Sequence, residues 1–595
     1  MTTTPGIGNE DIRPVGLVLG TPAEAATPLS FWVYVDPDSY LQLDDVVHVR
    51  SPLPGGRPVE AIEVYGVVDE VRAVHEGVSF ASDVALATRG VLPVQTAVAA
   101  HVAVTRVEPE IFVPPMPGLD VARAQGAARD AALFFDEMHL KDGTDTKVPF
   151  GLSRAGEPIY GNLQFLNGVR GGHVNISGIS GVATKTSYAM FLLYSLFEGT
   201  ALGGLRANTR AIVFNVKGED LLFLDQANAD LDDANREDYG RLGLPAQPFQ
   251  SSAFFVPVGK GQQAVPDSGS RMDGVTGFYW TLHEFCEERY LRFLFADADS
   301  EESLRSYLVD IVEARLAECA TDTRRAGITN GTVLVGGETI NSFDELTDAI
   351  EKHITPDEHD DSLAWAGHGG SAAALGTVRA FMRRLRGAGP HVGHLIRGQA
   401  SEDNEAHRID WQKRQVTVIG INNLHDRAQR FVVGVVLKRL MALREQQGVN
   451  AESARVFVVL DELNKYAPRE GHSPIKDVLL DIAERGRSLG VILIGAQQTA
   501  SEVESRVVAN CSYRIVGRLD SAESQRGEYG FLTSAARARA GLLKPGTMIV
   551  HQPEIPVPLL VRFPFPAWAT RASEVAHNTD PFARFDLGRG GRGLD

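Results

Sequence analysis

Apolar residues in the first hundred positions form short runs separated by turn-forming residues. Runs rich in Val, Ile, Tyr and Phe occupy positions 15–19, 31–35, 46–49, 62–68 and 98–107. Between them stand Asp-Pro-Asp, Pro-Leu-Pro-Gly-Gly and Arg-Gly segments, which interrupt strands. About five short strands over such a length are typical of a small barrel. We therefore predict an N-terminal β-barrel over residues 13–112, after a flexible N-terminus at 1–12. The alternative is that these strands belong to a larger sheet.

After a proline-rich boundary at residues 112–118, the pattern changes to strands that alternate with helices. Apolar runs predict strands at 173–177, 211–216, 416–421, 456–460, 491–496 and 513–516. Helical spacing predicts helices at 186–196, 284–294, 304–318, 343–353 and 431–444. Such alternation indicates an α/β fold with a mostly parallel sheet. We expect a core in two parts at 113–265 and 401–570, a helical insertion at 266–400, and a flexible Arg/Gly tail at 571–595.

The first predicted core strand runs into a glycine-containing turn, then Lys185-Thr186, then an apolar helix. This is the layout of a phosphate-binding loop, in which backbone N–H groups and a helix N-terminus surround the phosphates. In such a loop the lysine reaches the terminal phosphates and the hydroxyl binds Mg²⁺. The predicted nucleotide-binding residues are Gly178, Gly181, Val182, Ala183, Thr184, Lys185 and Thr186.

The spacing of this loop departs from the common GxxxxGK[ST] pattern. Ile179 stands where the first glycine is expected, and Thr184 precedes the lysine in place of the second. The loop is thus one residue longer or shaped differently, and Thr184 has to occupy a position where glycine tolerates positive φ. An ordinary strand–turn–helix with a surface Lys-Thr is the alternative.

A second apolar run, at 456–460, ends in Asp461 and Glu462. The carboxyl ends of parallel strands are where α/β sheets bind ligands. In a phosphate-transferring site, Asp461 would complete the Mg²⁺ site, and Glu462 would act as the catalytic base on the attacking water. The strand end alone is weak evidence, but together with the phosphate loop it indicates ATP hydrolysis.

Other polar residues follow core strands or helices at positions suited to the same reaction. Lys217-Gly218-Glu219 follows the second strand, and we assign Glu219 to the nucleotide site. Phosphoryl transfer also uses a γ-phosphate sensor and an arginine that neutralises developing charge, supplied in cis or by a neighbouring subunit. The sensor candidates are Gln497 and Gln498, and the arginine candidates are Arg485, Arg487, Arg514 and Arg518.

Composition limits the setting in which this chemistry takes place. The chain has 595 residues, three cysteines, and 58 basic against 76 acidic side chains, for a net charge of −18. Scattered cysteines favour a reducing compartment, and the N-terminus resembles neither a signal peptide nor a membrane span, so we predict a cytoplasmic protein. A surface this acidic does not coat nucleic acid, so any DNA contact needs locally gathered positive charge. The densest basic stretches are 379–386 and 438–444.

Taken together, these motifs resemble the HerA family of FtsK-like hexameric DNA translocases. The barrel, the phosphate loop, the Lys217-Gly218-Glu219 strand end and the helical insertion follow in the family's order. The Asp461–Pro468 segment resembles the family's DEAH-x-Y-x-P motif, and the strand leading to Gln497 completes the set. The departures are the phosphate loop, Asn215 in place of a frequent Asp, and Leu463-Asn464 in place of Ala-His.

The resemblance implies a RecA-like P-loop NTPase core with an N-terminal HAS-type barrel. It implies a homohexameric ring that uses ATP and Mg²⁺ to move DNA, with duplex expected, through its pore. It further implies a partner such as a NurA-like nuclease or a sirtuin-like effector. Two other functions remain open from the residues: a nucleotide-dependent assembly scaffold with weak hydrolysis, and a protein-remodelling ATPase.

Overall fold

A computed structural model describes the chain from residue 13 to residue 576, with internal gaps. The gaps are at 54–59, 77, 79, 180–184, 219–220, 262, 296–301, 355–364, 366–374, 399–406 and 449–454. Predictions for Gly181, Val182, Ala183, Thr184, Glu219 and residues 1–12 and 577–595 therefore lie outside the described residues. The first residues of the predicted tail are ordered against the core, with a helical turn at Ala572–Glu574 and the Ala576 N–H donating to the Ala227 carbonyl at 2.9 Å.

The N-terminal region forms a closed antiparallel barrel with the strand order β1-β2-β5-β4-β3-β6. Its strands are β1 (Pro14–Val18), β2 (Ser30–Val35), β3 (Val46–Pro52), β4 (Ala61–His75), β5 (Thr96–Glu108) and β6 (Asp120–Arg123). Helix α1 (Ala81–Thr88) connects β4 to β5. Alternate residues of β2 are buried, and they fill the barrel interior as a period-two strand requires.

The last barrel strand lies beyond the boundary at residue 112 that the sequence suggested. Strand β6 pairs with both β1 and β3, and this double pairing closes the barrel. It consists of only four residues after the proline-rich segment. A run this short has too little alternation to be recognised as a strand before the structure is known.

The first part of the core contributes the following elements: α2 (Gly126–Ala132), β7 (Lys147–Leu152), β8 (Pro158–Asn162), β9 (Val174–Ser177), α3 (Lys185–Glu198), β10 (Arg210–Asn215), α4 (Asp233–Arg241), β11 (Ser252–Pro257) and β12 (Val275–Phe278). The predicted strands before and after the phosphate loop, and the helix between them, are confirmed as β9, α3 and β10. Strand β12 pairs with β11, so the large sheet extends into the segment expected to be a helical insertion.

The remainder of the insertion is mainly helical. Its elements are β13 (Trp280–Thr281), α5 (Leu282–Glu287), α6 (Glu302–Arg325), β14 (Val333–Val335), β15 (Glu338–Ile340), α7 (Phe343–Ile354), α8 (Leu375–Val392) and β16 (Ile396–Arg397). The two short pairs β13–β16 and β14–β15 are separate from the large sheet. Buried residues of α6, α7 and α8 share one apolar core with the large sheet.

The second part of the core completes the sheet. Its elements are β17 (Val416–Gly420), α9 (Asp426–Gln447), β18 (Val456–Asp461), α10 (Leu463–Tyr466), α11 (Pro474–Asp481), α12 (Arg487–Leu489), β19 (Val491–Gln497), α13 (Ser505–Ala509), β20 (Tyr513–Val516), α14 (Ser521–Ser524), α15 (Ser534–Ala540), β21 (Thr547–His551) and β22 (Leu559–Arg562). A π-helical turn at Ile482–Gly486 joins α11 to α12.

The strands form a 12-stranded sheet in the order β12-β11-β17-β10-β18-β19-β9-β20-β21-β22-β7-β8. Neighbouring strands run parallel from β12 to β20, and the strands from β20 to β8 pair antiparallel. Along β10, Ile212 and Phe214 face one apolar core, and Ala211 and Val213 face the other. A sheet buried on both faces requires the continuous apolar runs seen in the sequence.

Strand β19 lies between β9, which carries the phosphate loop, and β18, which carries the acidic pair. With β10 beyond β18 and β20 beyond β9, the parallel part is a RecA-like P-loop NTPase core. The predicted fold class, with its mostly parallel sheet and N-terminal barrel, is confirmed. Because all these strands are parallel, the residues that follow them meet at one edge of the sheet.

Candidate nucleotide-binding site

Gly178 begins the phosphate loop, directly after β9. Its backbone N–H donates to the carbonyl oxygen of Gln497 at 3.2 Å. The backbone N–H of Ile179 donates to the carbonyl oxygen of Arg518 at 2.7 Å. A Cβ on Gly178 would lie 3.2 Å from the Arg518 oxygen, closer than nearly all Cβ contacts. The start of the loop is thus packed against the ends of β19 and β20.

Lys185 opens helix α3 on the far side of the loop. Its side chain is buried, and among the described residues its Nζ has no hydrogen-bond partner. Burial lowers the pKa of this ammonium, while the carboxylates of Asp461 and Glu462 favour the charged form. A buried cation without a partner is costly, and a phosphate oxygen would supply the missing acceptor. Lys185 therefore fits the predicted nucleotide role.

Thr186 and Asp461 meet across the site. The Thr186 hydroxyl donates to Oδ2 of Asp461 at 2.8 Å, and the backbone N–H of Glu462 donates to Oδ1 at 2.8 Å. A hydroxyl next to a carboxylate matches the hard oxygen ligands that Mg²⁺ binds beside substrate phosphates. The residues present thus fit the predicted metal site.

Glu462 has left-handed backbone torsions, with φ of 58° and ψ of 45°, between β18 and α10. Its Oε1 accepts hydrogen bonds from Lys217 Nζ and, at 3.4 Å, from Gln498 Nε2. Burial opposes ionisation of this carboxyl, but the hydrogen bond and charge of Lys217 outweigh it. The pKa of Glu462 consequently lies below its ordinary value. The group is therefore ionised, as a base requires.

The two glutamines differ in position. The Gln497 side chain is fully buried, and its Nε2 donates to Asn175 Oδ1 at 2.9 Å inside the sheet. Gln498 is exposed and contacts Glu462. Of the pair, Gln498 has the position of a sensor, whereas Gln497 faces the interior and contributes its carbonyl to the loop.

Lys217 is the site residue to which sequence reasoning assigned no role. It follows β10, the strand next to β18, and forms an ion pair with Glu462. The turn that carries it is fixed by Asn215, whose Nδ2 donates to the Gly218 carbonyl at 3.1 Å. The sequence did place Lys217 after the carboxyl end of a predicted parallel strand, where α/β sheets bind ligands, and that position could have marked it as a site residue.

The four arginine candidates occupy different parts of the molecule. Arg518 is exposed and lies beside the phosphate loop, which its carbonyl contacts. Arg514 lies within β20, with its guanidinium 5.8 Å from the centre of the Phe531 ring. Arg485 and Arg487 precede β19 and so lie at the amino edge of the sheet, opposite the loop.

Side-chain contacts separate these last two arginines. Arg485 forms ion pairs with Asp481 and Glu445 of its own chain. Arg487 is exposed, and no ion pair to its side chain exists among the described residues. Strand β19, which is 7 residues long, separates both arginines from the sheet edge that carries the phosphate loop. Because a strand extends by about 3.3 Å per residue, neither guanidinium reaches the nucleotide site of its own chain.

Of the two basic stretches, the one at 438–444 does not form a surface for DNA. Lys438 donates to the carbonyls of Glu288 and Arg289, Arg439 stacks over Trp411, and Arg444 donates to the carbonyl of Leu489. Helix α9 is buried among the insertion and the sheet, so these cations bond internal acceptors.

In the other basic stretch, at 379–386, Arg386 pairs with Asp348 and Glu351, while Arg379 and Arg383 are exposed.

A comparison with solved structures found matches at low sequence identity. Plasmid coupling protein TrwB, solved with a non-hydrolysable GTP analogue, is 13% identical with a TM-score of 0.44, over 72% of this chain and 92% of TrwB. VirB4 of Thermoanaerobacter pseudethanolicus is 15% identical with a TM-score of 0.39, over 74% and 99%. The genome packaging NTPase B204 of Sulfolobus turreted icosahedral virus 2 is 14% identical with a TM-score of 0.19, over 26% and 70%.

At these identities the likeness is one of fold, and residue roles in this chain come from its own geometry. No protein-family model matches the sequence, and a search of curated proteins found no match. Within the described residues, no helix combines the length and apolarity needed to cross a bilayer.

Proposed function

We propose that this protein is a Mg²⁺-dependent ATP hydrolase that moves DNA, working as a HerA-type homohexameric ring. The observation that supports this best is the meeting of Lys185, Thr186, Asp461 and Glu462 at one sheet edge. Two distant segments of the chain supply these four residues. A carboxylate pair, an unpartnered buried lysine and a threonine hydroxyl are the groups that phosphoryl transfer requires.

Each residue has a part in the proposed reaction. Lys185 and the backbone of the loop hold the β- and γ-phosphates, and Glu462 accepts the proton of the attacking water while Gln498 lies beside it. Thr186 and Asp461 would hold Mg²⁺, which supplies positive charge to the phosphate oxygens. An arginine neutralises the charge that develops in the transition state.

The direct test is Glu462→Gln, which keeps the shape of the side chain and removes its basicity. We expect ATP hydrolysis to fall by at least about 10²-fold while ATP binding is retained, because general-base catalysis contributes that much. Steady-state phosphate release and binding of a fluorescent ATP analogue measure the two quantities. Wild-type turnover in this variant would remove Glu462 from its role.

A second function is supported by the Lys217 contact and the unusual loop. With Glu462 held by Lys217, the chain could bind nucleotide with little hydrolysis and act as an assembly scaffold. Stimulation of hydrolysis by duplex DNA separates the two functions, since only a DNA translocase requires it. ATPase activity stimulated by a protein substrate and indifferent to DNA would favour protein remodelling instead.

The cellular partner belongs to the same proposal. A NurA-like nuclease or a sirtuin-like effector would dock on the N-terminal barrel. Co-purification of each candidate with the full-length protein and with a form lacking the barrel tests this. A partner that binds both forms equally well would rule out the barrel as its docking face.

A further inference from the structure

A large cleft opens between the insertion and the sheet, away from the nucleotide site. Its volume is about 1140 Å³, and it lies next to the segment that follows β11. Lys260 follows β11, His394 and Arg397 follow α8, and Asp344 and Asp348 lie on α7. The proposed hydrolysis uses none of these side chains.

Arg397 fixes the floor of the cleft. Its Nη2 donates to the carbonyls of Gly259 at 2.8 Å and Gly261 at 3.0 Å, and its Nε donates to that of His394 at 2.9 Å. The loop that carries Lys260 is thereby clamped to the end of α8. Lys260 itself is exposed, and no ion pair holds its ammonium within the described part of the chain. The hydrogen bonds of Arg397 thus hold the segment in place, and the ammonium group of Lys260 is available to a ligand.

Further basic groups lie beside the residues that line this side of the cleft. The ring of His391 stacks on His425, with centroids 3.7 Å apart. Burial lowers the pKa of His391, and the charges of His425, Arg427 and Lys260 lower it further. Burial likewise lowers the pKa of His394, with Lys260 and Arg397 adding to the effect and Asp267 opposing it. Burial is thus the largest cause of both lowered pKa values, and the cations beside the two rings add to it.

The opposite wall carries acidic residues, but part of their charge is compensated. Asp348 pairs with Arg386 at 2.8 Å, whereas Asp344 is exposed at the start of α7. The positive side is therefore formed by the segment after β11 and the end of α8, with the start of α9 beside them. In a chain of net charge −18, such a local cluster is the condition set out above for contact with a polyanion.

We propose that this cleft binds the phosphodiester backbone of DNA through Lys260 and His394, with His391 beside the residues that line it. The assignment rests on the proposed function and gives it a contact site within this chain. A lysine ammonium and imidazole N–H groups are donors for phosphate oxygens and carry no base specificity. A phosphate in the cleft would also favour protonation of both histidines, which reinforces binding.

The start of α9 connects the cleft to the catalytic base. His425 and Arg427 flank Asp426, and Asp426 forms an ion pair with Lys465 at 2.6 Å. Lys465 lies in α10, the short helix that begins directly after Glu462. A ligand that displaces His425 or Arg427 would thus act on the first turn of α9, whose Asp426 is paired with Lys465 of α10. This contact gives DNA in the cleft a physical route to the rate of hydrolysis.

The test is Lys260→Ala in the full-length protein, with Lys413→Ala as the matched control. Lys413 is an exposed lysine just before β17, at the opposite edge of the same sheet. Fluorescence anisotropy with labelled duplex and single-stranded oligonucleotides gives Kd over a range of salt. Losing one phosphate contact should weaken binding roughly fivefold at about 0.15 M salt and reduce the salt slope by about one. Lys413→Ala should change neither.

The outcomes separate this inference from the proposed function. If DNA binds and stimulates hydrolysis equally in Lys260→Ala and wild type, the cleft assignment is wrong and the translocase proposal stands. If Lys260→Ala weakens binding but DNA never stimulates the wild-type ATPase, the cleft is supported and the translocase proposal is wrong. Displacement of DNA by inorganic pyrophosphate at low concentration would indicate a small-anion site and overturn the assignment to DNA.

Discussion

At the level of single residues, Glu462 combines a strained backbone with a paired side chain. Positive φ in a residue with a side chain costs on the order of 1 kcal/mol, and here it lets the chain pass from β18 into α10 within one residue. The carboxylate is then held by Lys217 and Gln498. The ion pair keeps the base ionised, and it must loosen for the carboxylate to accept a proton from water.

Lys217→Met should move the pH dependence of hydrolysis. The base works only when ionised, so activity is lost as the pH falls through its pKa. Without Lys217, burial is left to raise the pKa of Glu462, and the acid limb of the kcat profile should shift to higher pH. Lys413→Met is the matched control, and kcat is measured from about pH 3.5 to about pH 9, because the wild-type acid limb lies near or below the ordinary pKa of a glutamate. An unshifted acid limb would show that Lys217 does not set the ionisation of Glu462.

At the level of elements, β19 supports both halves of the site. Its end accepts the backbone N–H of Gly178, and its Gly495 pairs with Leu460, just before the acidic residues. A Cβ on Gly495 would lie 2.5 Å from a Leu463 methyl group, and Leu463 is itself buried in α10. The absence of a side chain at residue 495 is what lets α10 pack directly on the strand.

Gly495→Ala should therefore displace α10 and disturb Glu462. Overpacking of this kind costs about 1–3 kcal/mol. We expect kcat to fall several-fold more than the affinity for ATP, since Lys185 and Thr186 lie on a different element. Gly240→Ala is the control, because a Cβ there meets nothing within 4 Å. A Gly495→Ala enzyme with normal kcat would show that α10 accommodates the extra methyl group.

For the whole molecule, the placement of Arg487 would make activity depend on assembly in the proposed ring. Arg487 lies at the amino edge of the sheet and the phosphate loop at the carboxyl edge, so one chain cannot bring them together. In a ring, the amino edge of one subunit can face the nucleotide of the next. Arg487 is the better candidate for that role than Arg485, which is held by Asp481 and Glu445.

Arg487→Ala should reduce hydrolysis by about 10³-fold or more, as loss of an arginine finger does. Arg485→Ala, two residues away, should retain activity. Mixing inactive Arg487→Ala with inactive Glu462→Gln should restore phosphate release, because an intact arginine would then meet an intact base across the subunit boundary. A mixture that stays inactive, although mixed rings form, would place the arginine elsewhere, with Arg518 the next candidate.

The success of sequence reasoning depended on how local each signal was. The strands β9, β10 and β18 follow from continuous apolar runs, and Lys185, Thr186, Asp461 and Glu462 follow from their position at strand ends. The Lys217–Glu462 contact depends on strand order, which no local pattern contains. The internal contacts of Lys438, Arg439 and Arg444 could not be predicted, because a long side chain can be buried along its stem while its charge bonds an internal carbonyl. The choice between Gln497 and Gln498 stayed open in the sequence, since an apolar run does not show which of two adjacent glutamines faces outward.

In the proposed function, the junction between barrel and core would determine where force enters the molecule. Asp44 of the barrel pairs with Arg539 of α15 at 2.7 Å and with Arg154 of the β7–β8 turn at 3.4 Å. Both arginines belong to the antiparallel end of the sheet. A pull on a partner docked at the barrel would therefore be carried by that end as tension. That end is bonded to the elements around the phosphate loop, because β20 pairs with β9 and the Tyr188 hydroxyl of α3 donates to the Phe150 carbonyl of β7 at 2.9 Å. Tension at the barrel would therefore reach the two elements that flank the loop.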